Sequence, residues 1–236
     1  MKTIRTGISV AMTLALVSLL AGPASAEISF SYVEANYINV DTNLAGRITD
    51  TAANTDVRLG TSDDNGFEVG GAWEFYRNVH VFGEYSKAKN DVGITGTVLG
   101  VPLSASGDFD VIRWRAGLGY AYPISEVLTA YGQVSYDYIE FDNFDLSDGD
   151  GSLNTDDSGA GVEGGLRFAP FEPSELYAYI RYSSVGDFEV DANSEFSDDI
   201  LYGFGGRFFV TDRIGLQIGY EVGQIDTLNV GARFTF

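Results

Sequence analysis

The last eleven residues of the chain, from Asp226 to Phe236, restrict its fold more than any other segment. Alternate positions in this segment are apolar: Leu228, Val230, Ala232, Phe234 and Phe236. The intervening positions are polar or small and include Arg233, so a strand here has one fully apolar face. A soluble sheet with such an edge invites aggregation, whereas a bilayer covers the apolar face with lipid. The segment therefore predicts the closing strand of a transmembrane barrel.

The N-terminus has the pattern of a secretory signal peptide. Two basic residues precede an apolar run over residues 8–20, and an A-x-A cleavage pattern ends at Ala26. The run is too short to cross a bilayer as a helix, and the alternative of a buried helix leaves both flanks unexplained. We therefore predict a signal peptide over residues 1–26 and a single outer-membrane barrel domain over residues 27–236.

Charge and composition exclude several classes of partner and site. The formal net charge is −20, and Lys2 and Arg5 are the only charged residues before Glu27, so the exported part carries −22. Such an acidic chain is unsuited to bind nucleic acid or an anionic lipid surface directly. Cysteine is absent, which excludes disulfide bonds and thiolate metal sites.

Period-2 alternation recurs in ten segments of the exported chain. They lie near 30–40, 66–76, 79–86, 112–120, 128–137, 160–168, 176–183, 200–208, 214–222 and 227–236. Short turns near 77, 123, 171 and 212 alternate with longer connections near 41–65, 88–108, 141–158 and 186–198. This pattern predicts an all-β fold, a closed antiparallel up-and-down transmembrane β-barrel of ten strands. Eight strands and a soluble β-sandwich are the alternatives.

The face opposite the apolar one carries nearly balanced charge. Its acids are Glu34, Glu68, Glu74, Glu84, Asp137, Glu163 and Glu221. Its bases are Arg113, Arg115, Arg167, Arg181, Arg207 and Arg233. Buried charges are costly unless they are paired, so the set predicts a charge-paired network in a plugged or very narrow lumen. Inward Tyr131, Tyr177 and Tyr179 would fill space opposite inward glycines. A small pore for ions or small solutes is the alternative.

The outer connections are strongly acidic. Loops 141–158 and 186–199 each contain six acids and no base, so we expect divalent cations there, bridging lipopolysaccharide. A calcium-loop motif begins at Asp148 but fails at Leu153, where glycine is required, and a solvated acidic loop is the alternative. Loop 91–107 is uncharged after its first residue. Three interpretations of this loop are open: an extended hairpin, a partner-binding segment or a flexible loop.

The single histidine, His80, does not indicate an enzyme. It follows the predicted turn at Arg77-Asn78, which places it inside the barrel at the periplasmic end. The next inward residue is Phe82, so neither a serine nor a carboxylate stands beside it for nucleophilic or general-base chemistry. His80 is therefore predicted to form hydrogen bonds in the lumen. We predict neither catalytic residues nor a cofactor, and no metal site of specific residues; an outer-membrane enzyme that uses His80 is the remaining alternative.

Three motifs carry a family resemblance: Ser31-Tyr32-Val33-Glu34, the VHVFGEYS run at 79–86 and the WRAGLGY run at 114–120. They resemble the small outer-membrane barrels once grouped as diffusible-signal-factor-regulated, within the OmpA-type barrel superfamily. The resemblance implies a Gram-negative outer-membrane barrel with a structural or surface-interaction role and no catalytic residues. OmpA-type barrels commonly have eight strands, so ten is a departure.

The terminal aromatic residues suggest a route of assembly. We expect Phe234 and Phe236 to be the signal through which the barrel-assembly machinery recognises the last strand. The other expected partners are outer-membrane lipid and lipopolysaccharide.

Overall fold

The computed structural model describes residues 28–41, 45–50, 55–61, 64–146, 153–185, 189–191, 194–195, 199–223 and 225–236. The predicted signal peptide and the calcium-like segment over 148–152 lie outside these ranges. Within them, no helix has the length and hydropathy required to cross a membrane.

The described residues form fourteen β-strands. In chain order these are β1 (Tyr32–Asp41), β2 (Ala45–Asp50), β3 (Thr55–Thr61), β4 (Asp64–Tyr76), β5 (Val79–Val98), β6 (Val101–Ser125), β7 (Leu128–Leu146), β8 (Leu153–Phe171), β9 (Ser174–Ser183), β10 (Glu189–Asp191), β11 (Ser194–Glu195), β12 (Asp199–Phe209), β13 (Ile214–Val222) and β14 (Asp226–Thr235). The strands β2, β3, β10 and β11 form two additional hairpins in the long connections.

The other ten strands form one closed antiparallel barrel. Starting at β1, the neighbours around the wall are β4, β5, β6, β7, β8, β9, β12, β13 and β14. On β1, Glu34 lies opposite Gly70 of β4 on one side and opposite Arg233 of β14 on the other. The described wall therefore has no free edge at this junction. The predicted ten-stranded barrel is confirmed, and the eight-stranded alternative is wrong.

The strands β5 and β6 extend far beyond their predicted ends. They contain 20 and 25 residues, whereas about 9–11 residues suffice to cross a bilayer. Leu99 and Gly100 join them with positive φ angles of 53° and 80°, as a two-residue hairpin turn requires. Of the three interpretations of segment 91–107, the extended hairpin is therefore correct. The connection predicted over 88–108 is wrong because alternation continues through Val92 and Ile94.

One short turn also lies elsewhere than predicted. The strand β6 continues through Pro123, and its turn falls at Glu126-Val127. The register shifts between Pro123 and Ser125, and such an irregularity accommodates a residue that has no N–H for the ladder. The turn predicted at 123 is therefore wrong, while those at 77–78 and 172–173 lie where predicted.

The outer face of the barrel is apolar and rich in aromatic residues. Exposed aromatic side chains on it include Tyr37, Phe67, Trp73, Phe75, Tyr76, Trp114, Tyr120, Tyr136, Phe168, Tyr182, Tyr202, Phe204, Phe208, Phe234 and Phe236. Phe75 and Tyr76 lie beside a short turn, whereas Trp114 lies opposite Tyr85, two residues before Lys87, where charges begin on the outer face. Aromatic bands at both ends of an apolar belt are typical of outer-membrane barrels.

Near the extracellular rim, the apolar residues change from the outer face to the inner face. The inward side chains there form a buried cluster, named the apolar cap: Ile38, Val40, Ala88, Val92, Phe109, Val111, Ile139 and Ile225. On the outer face at this height, Lys87 Nζ lies 2.9 Å from Asp110 Oδ2, and Lys89 pairs with Asp108. Apolar residues inside and charges outside are the pattern of a soluble sheet. The extracellular rim of the barrel wall therefore lies outside the bilayer.

Inward tyrosines lie directly on inward glycines, as predicted. A Cβ atom on Gly203 would be 2.0 Å from Tyr179 Cζ, and one on Gly205 would be 2.4 Å from Tyr177 Oη. Tyr179 cannot move freely because its hydroxyl donates a hydrogen bond of 2.8 Å to Glu221. The lumen is therefore packed by tyrosine at positions where any larger neighbour would collide.

We expect Gly203→Ala to lower the free energy of unfolding by about 1–3 kcal/mol, because it overpacks the lumen and displaces Tyr179. Gly164→Ala is the matched control, since its nearest heavy atom would be 4.0 Å away. Urea unfolding of the lipid-reconstituted barrel, followed by tryptophan fluorescence, measures both variants. Equal stabilities of the two variants would show that the tyrosine layer is not closely packed.

Candidate functional site: the closed lumen

Strand register places arginines directly opposite acids on the inner wall. Four such cross-strand pairs are Glu34 with Arg233, Glu84 with Arg115, Glu163 with Arg181, and Glu175 with Arg207. The Arg115 Nε lies 2.6 Å from Glu84 Oε2, while Arg233 Nε donates to Glu34 Oε2 at 2.8 Å. Pairing between neighbouring strands thus follows from register alone.

A second set of contacts joins strands that lie two apart around the wall. Arg115 on β6 donates to Glu163 Oε2 on β8 at 2.6 Å, and Tyr131 Oη donates to the other oxygen of Glu163 at 2.9 Å. Arg181 on β9 binds Glu221 on β13. These bonds join strands that are separated by one other strand, and their side chains occupy part of the lumen.

The largest charge cluster near the periplasmic end includes a residue that sequence analysis missed. Glu175 is buried and accepts two hydrogen bonds of 2.8 Å from Arg167 as well as one from Arg207. Arg207 Nε also donates to Gln217 Oε1 at 2.7 Å. Glu175 has the same parity as Tyr177 and Arg181, so extending the predicted strand by one residue would have identified it.

Three of the predicted lumen acids have no arginine partner among the described residues. Glu68 accepts a hydrogen bond of 2.8 Å from Asn36 Nδ2, and Asp137 accepts bonds of 2.6 and 2.7 Å from Ser135 and Ser183. Glu74 lies at the periplasmic rim, where it accepts a bond from the Asn78 backbone N–H. The predicted pairing of charges is therefore incomplete at these three positions.

The N-terminal residues 29–31, named the N-terminal plug, close the periplasmic end. Phe30 is 4% exposed, and its ring stacks on the His80 ring with 4.6 Å between centroids. Arg167 Cζ lies 4.4 Å from the centre of the Phe30 ring, and Arg167 Nη1 donates to the Ser29 carbonyl at 2.7 Å. His80 is fully buried and lies 3.0 Å from Gln133 Nε2, inside the lumen as predicted.

A cavity of about 200 Å³ remains between the plug and the apolar cap. Its lining includes Glu68, Arg113, Asp137 and Asn229. A volume of this size holds on the order of ten water molecules. The lumen therefore has room for water in its middle, with the N-terminal plug at the periplasmic end and the apolar cap toward the extracellular end.

On the extracellular side, β3 pairs with the projecting part of β5, and β2 pairs with β3. The hairpin tip exposes Leu99 and Val101, which are 73% and 65% accessible. Among the predicted acidic loop residues, Asp142, Asp156 and Asp157 have described side chains. No group of three or more potential metal ligands occurs within the described part of the chain.

Comparison with solved structures finds several matches at low sequence identity. OprG from Pseudomonas aeruginosa aligns at 12% identity and a TM-score of 0.48, covering 90% of this chain and 99% of that chain. Neisserial surface protein A aligns at 14% identity and a TM-score of 0.42, covering 88% and 98%. Ail of Yersinia pestis, solved with the heparin analogue sucrose octasulfate, aligns at 15% identity and 0.40, covering 88% and 100%.

Sequence comparison gives the family. Curated protein sequences provide no significant match. The family described as the outer membrane protein beta-barrel domain matches residues 12–236. Because this match covers almost the entire chain and agrees with the closed barrel, the protein belongs to the outer membrane protein beta-barrel domain family and resides in the outer membrane.

Proposed function

We propose that this barrel is a non-conducting, non-enzymatic membrane scaffold that presents its extracellular sheet for surface interactions. The observation that carries the proposal is that buried side chains occupy both ends of the lumen, Phe30 at the periplasmic end and the apolar cap toward the extracellular end. The short motifs noted in the sequence further suggest a relationship to the diffusible-signal-factor-regulated barrels.

The two seals oppose ion flux through different interactions. The N-terminal plug is attached to the wall, since Ser31 Oγ accepts from the Glu74 backbone N–H at 3.1 Å and Ser31 O accepts from Phe236 N–H at 3.1 Å. The side chains of the apolar cap cannot replace the hydration shell of a passing ion, and the buried amide of Asn90 is the polar side chain among them. Between them, cross-lumen ion pairs narrow the remaining space.

In planar bilayers, the purified protein is expected to give no stable single-channel steps, because both seals exclude hydrated ions. A wide porin in the same membrane is the positive control. The double variant Phe30→Gly with Ile225→Ser removes one side chain from each seal, and we expect it to produce measurable openings. A stable large conductance of the unmodified protein would contradict the scaffold proposal and favour a small pore.

The projecting hairpin is the surface that we assign to interactions. Its two faces differ, because Val98, Val101 and Leu103 lie on the face that continues the apolar cap, whereas Ser104 and Ser106 lie on the other. Side chains at the tip have no covering element among the described residues. An exposed apolar tip above a rigid barrel suits contact with an apolar partner surface.

The double variant Leu99→Asp with Val101→Asp is expected to reduce association of expressing cells with hexadecane several-fold, since it places charge on the apolar tip. Ser104→Asp with Ser106→Asp adds the same charge to the polar face and is the matched control. Partition of cells between buffer and hexadecane measures the effect at equal barrel abundance. Equal losses in both variants would assign the effect to net charge alone.

Assembly and lipid contacts complete the proposal. We infer that the barrel-assembly machinery recognises the exposed Phe236, whose ring stacks near Phe234 at 6.4 Å between centroids. Lipopolysaccharide would surround the rim, with divalent cations bridging it to the acidic loops.

Deletion of Phe236 is expected to lower the yield of barrel in the outer membrane several-fold while leaving export across the inner membrane intact. Phe236→Tyr retains the aromatic ring and should restore the yield. Heat-modifiable electrophoretic mobility of outer-membrane fractions reports the folded barrel. An unchanged yield after deletion would rule out the assembly role.

A further inference from the structure

The lumen cavity contains a carboxylate and a guanidinium that are both incompletely paired. Glu68 accepts one hydrogen bond, from Asn36, and contacts no arginine of the described chain. Arg113 makes only long contacts, 3.5 Å to Glu221 and 3.3 Å to the Thr227 hydroxyl. Glu221 is already bound by Arg181 and by Tyr179, so it neutralises Arg113 weakly.

A third group in the cavity also lacks a partner. The Asn229 Oδ1 atom is buried and makes no hydrogen bond. A buried acceptor of this kind is destabilising unless a donor reaches it. Glu68 and Asn229 both line the cavity and both need a donor, whereas Arg113 needs an anion.

Register and contacts bring these three groups to one part of the inner wall. Asn229 of β14 lies opposite Ile38, and Glu68 of β4 lies opposite Asn36, so they flank the same stretch of β1. Arg113 extends across the lumen from β6 to Thr227, which shares a face with Asn229 two residues away. Glu68 and Arg113, whose charges have opposite signs, therefore lie in the same part of the cavity.

The extracellular end of the cavity is apolar. Ile139 and Ile225 belong to the apolar cap and also line the cavity, together with Leu201 and the partly buried Val185. A ligand that satisfies this site must carry an anion, a cationic donor and a small apolar group within a volume of about 200 Å³.

We propose that the cavity binds a small zwitterion of the α-amino acid class with an aliphatic side chain. Its carboxylate binds Arg113, its ammonium donates to Glu68 and to Asn229 Oδ1, and its side chain contacts Ile139 and Ile225. The ligand would displace part of the cavity water and leave the two seals in place. This binding site does not depend on whether the barrel conducts.

Isothermal titration calorimetry of the detergent-solubilised barrel tests the proposal with three probes. L-valine carries both charges, L-valinamide lacks the carboxylate, and 3-methylbutanoate lacks the ammonium. Each probe is added either after folding or before refolding, so that slow access through the seals cannot hide binding. We expect L-valine to bind and each single-charge analogue to bind about tenfold more weakly or worse, since one charged hydrogen-bond partner is lost.

Two variants locate the binding site. Glu68→Gln and Arg113→Gln should each weaken L-valine binding about tenfold, while Lys89→Gln on the outer face should leave it unchanged. Heat-modifiable mobility confirms that each variant is folded.

Equal binding of L-valinamide and L-valine would overturn the proposal in favour of a simple cation site, and equal binding of 3-methylbutanoate would overturn it in favour of an anion site. Absence of binding in both protocols would show that the cavity holds water only.

Discussion

The pairing of β1 with β14 is the constraint on which the other features depend. Hydrocarbon offers no hydrogen-bond partner to a backbone N–H or C=O, so a sheet in lipid must have no open edge. The ten-residue register from Tyr32 opposite Thr235 to Asp41 opposite Asp226 removes that edge. Closure then fixes the inner and outer face of every strand, because a slip of one residue would turn charged side chains into the lipid.

Closure also determines the interior chemistry. A ten-stranded wall leaves more space than its backbone alone can fill, and the sequence fills it with tyrosines over glycines and with arginine–carboxylate bonds. Such buried pairs offset each other's desolvation only when their geometry is good and their remaining donors are satisfied. The bidentate bonds of Arg167 to Glu175, at 2.8 Å each, meet that condition. The network therefore fills part of the lumen, and only its pairs on neighbouring strands, such as Glu34 with Arg233, follow from register.

Alternation alone was sufficient to predict the strand number, the inner and outer faces and the inward position of His80. It failed where the environment changes along one strand. Beyond Ala88 the inward residues become apolar, which resembles the end of a membrane strand although the strand itself continues in water. Contacts between strands that are not neighbours, such as Arg115 with Glu163, could not be predicted because they depend on barrel curvature. The N-terminal plug was missed because Phe30 was assigned to the wall.

The distribution of unpaired charge connects the structure of the lumen with the proposed ligand. The described lumen contains eight acids, the seven predicted ones and Glu175, against six arginines. If pairing served stability alone, the loosest contacts would be expected at the hydrated rims, as for Glu74. Glu68 and Arg113 instead lie in the middle of the lumen, on the periplasmic side of the apolar cap, where water in the cavity is their remaining partner. A bound zwitterion would replace that water with a charged partner for each group.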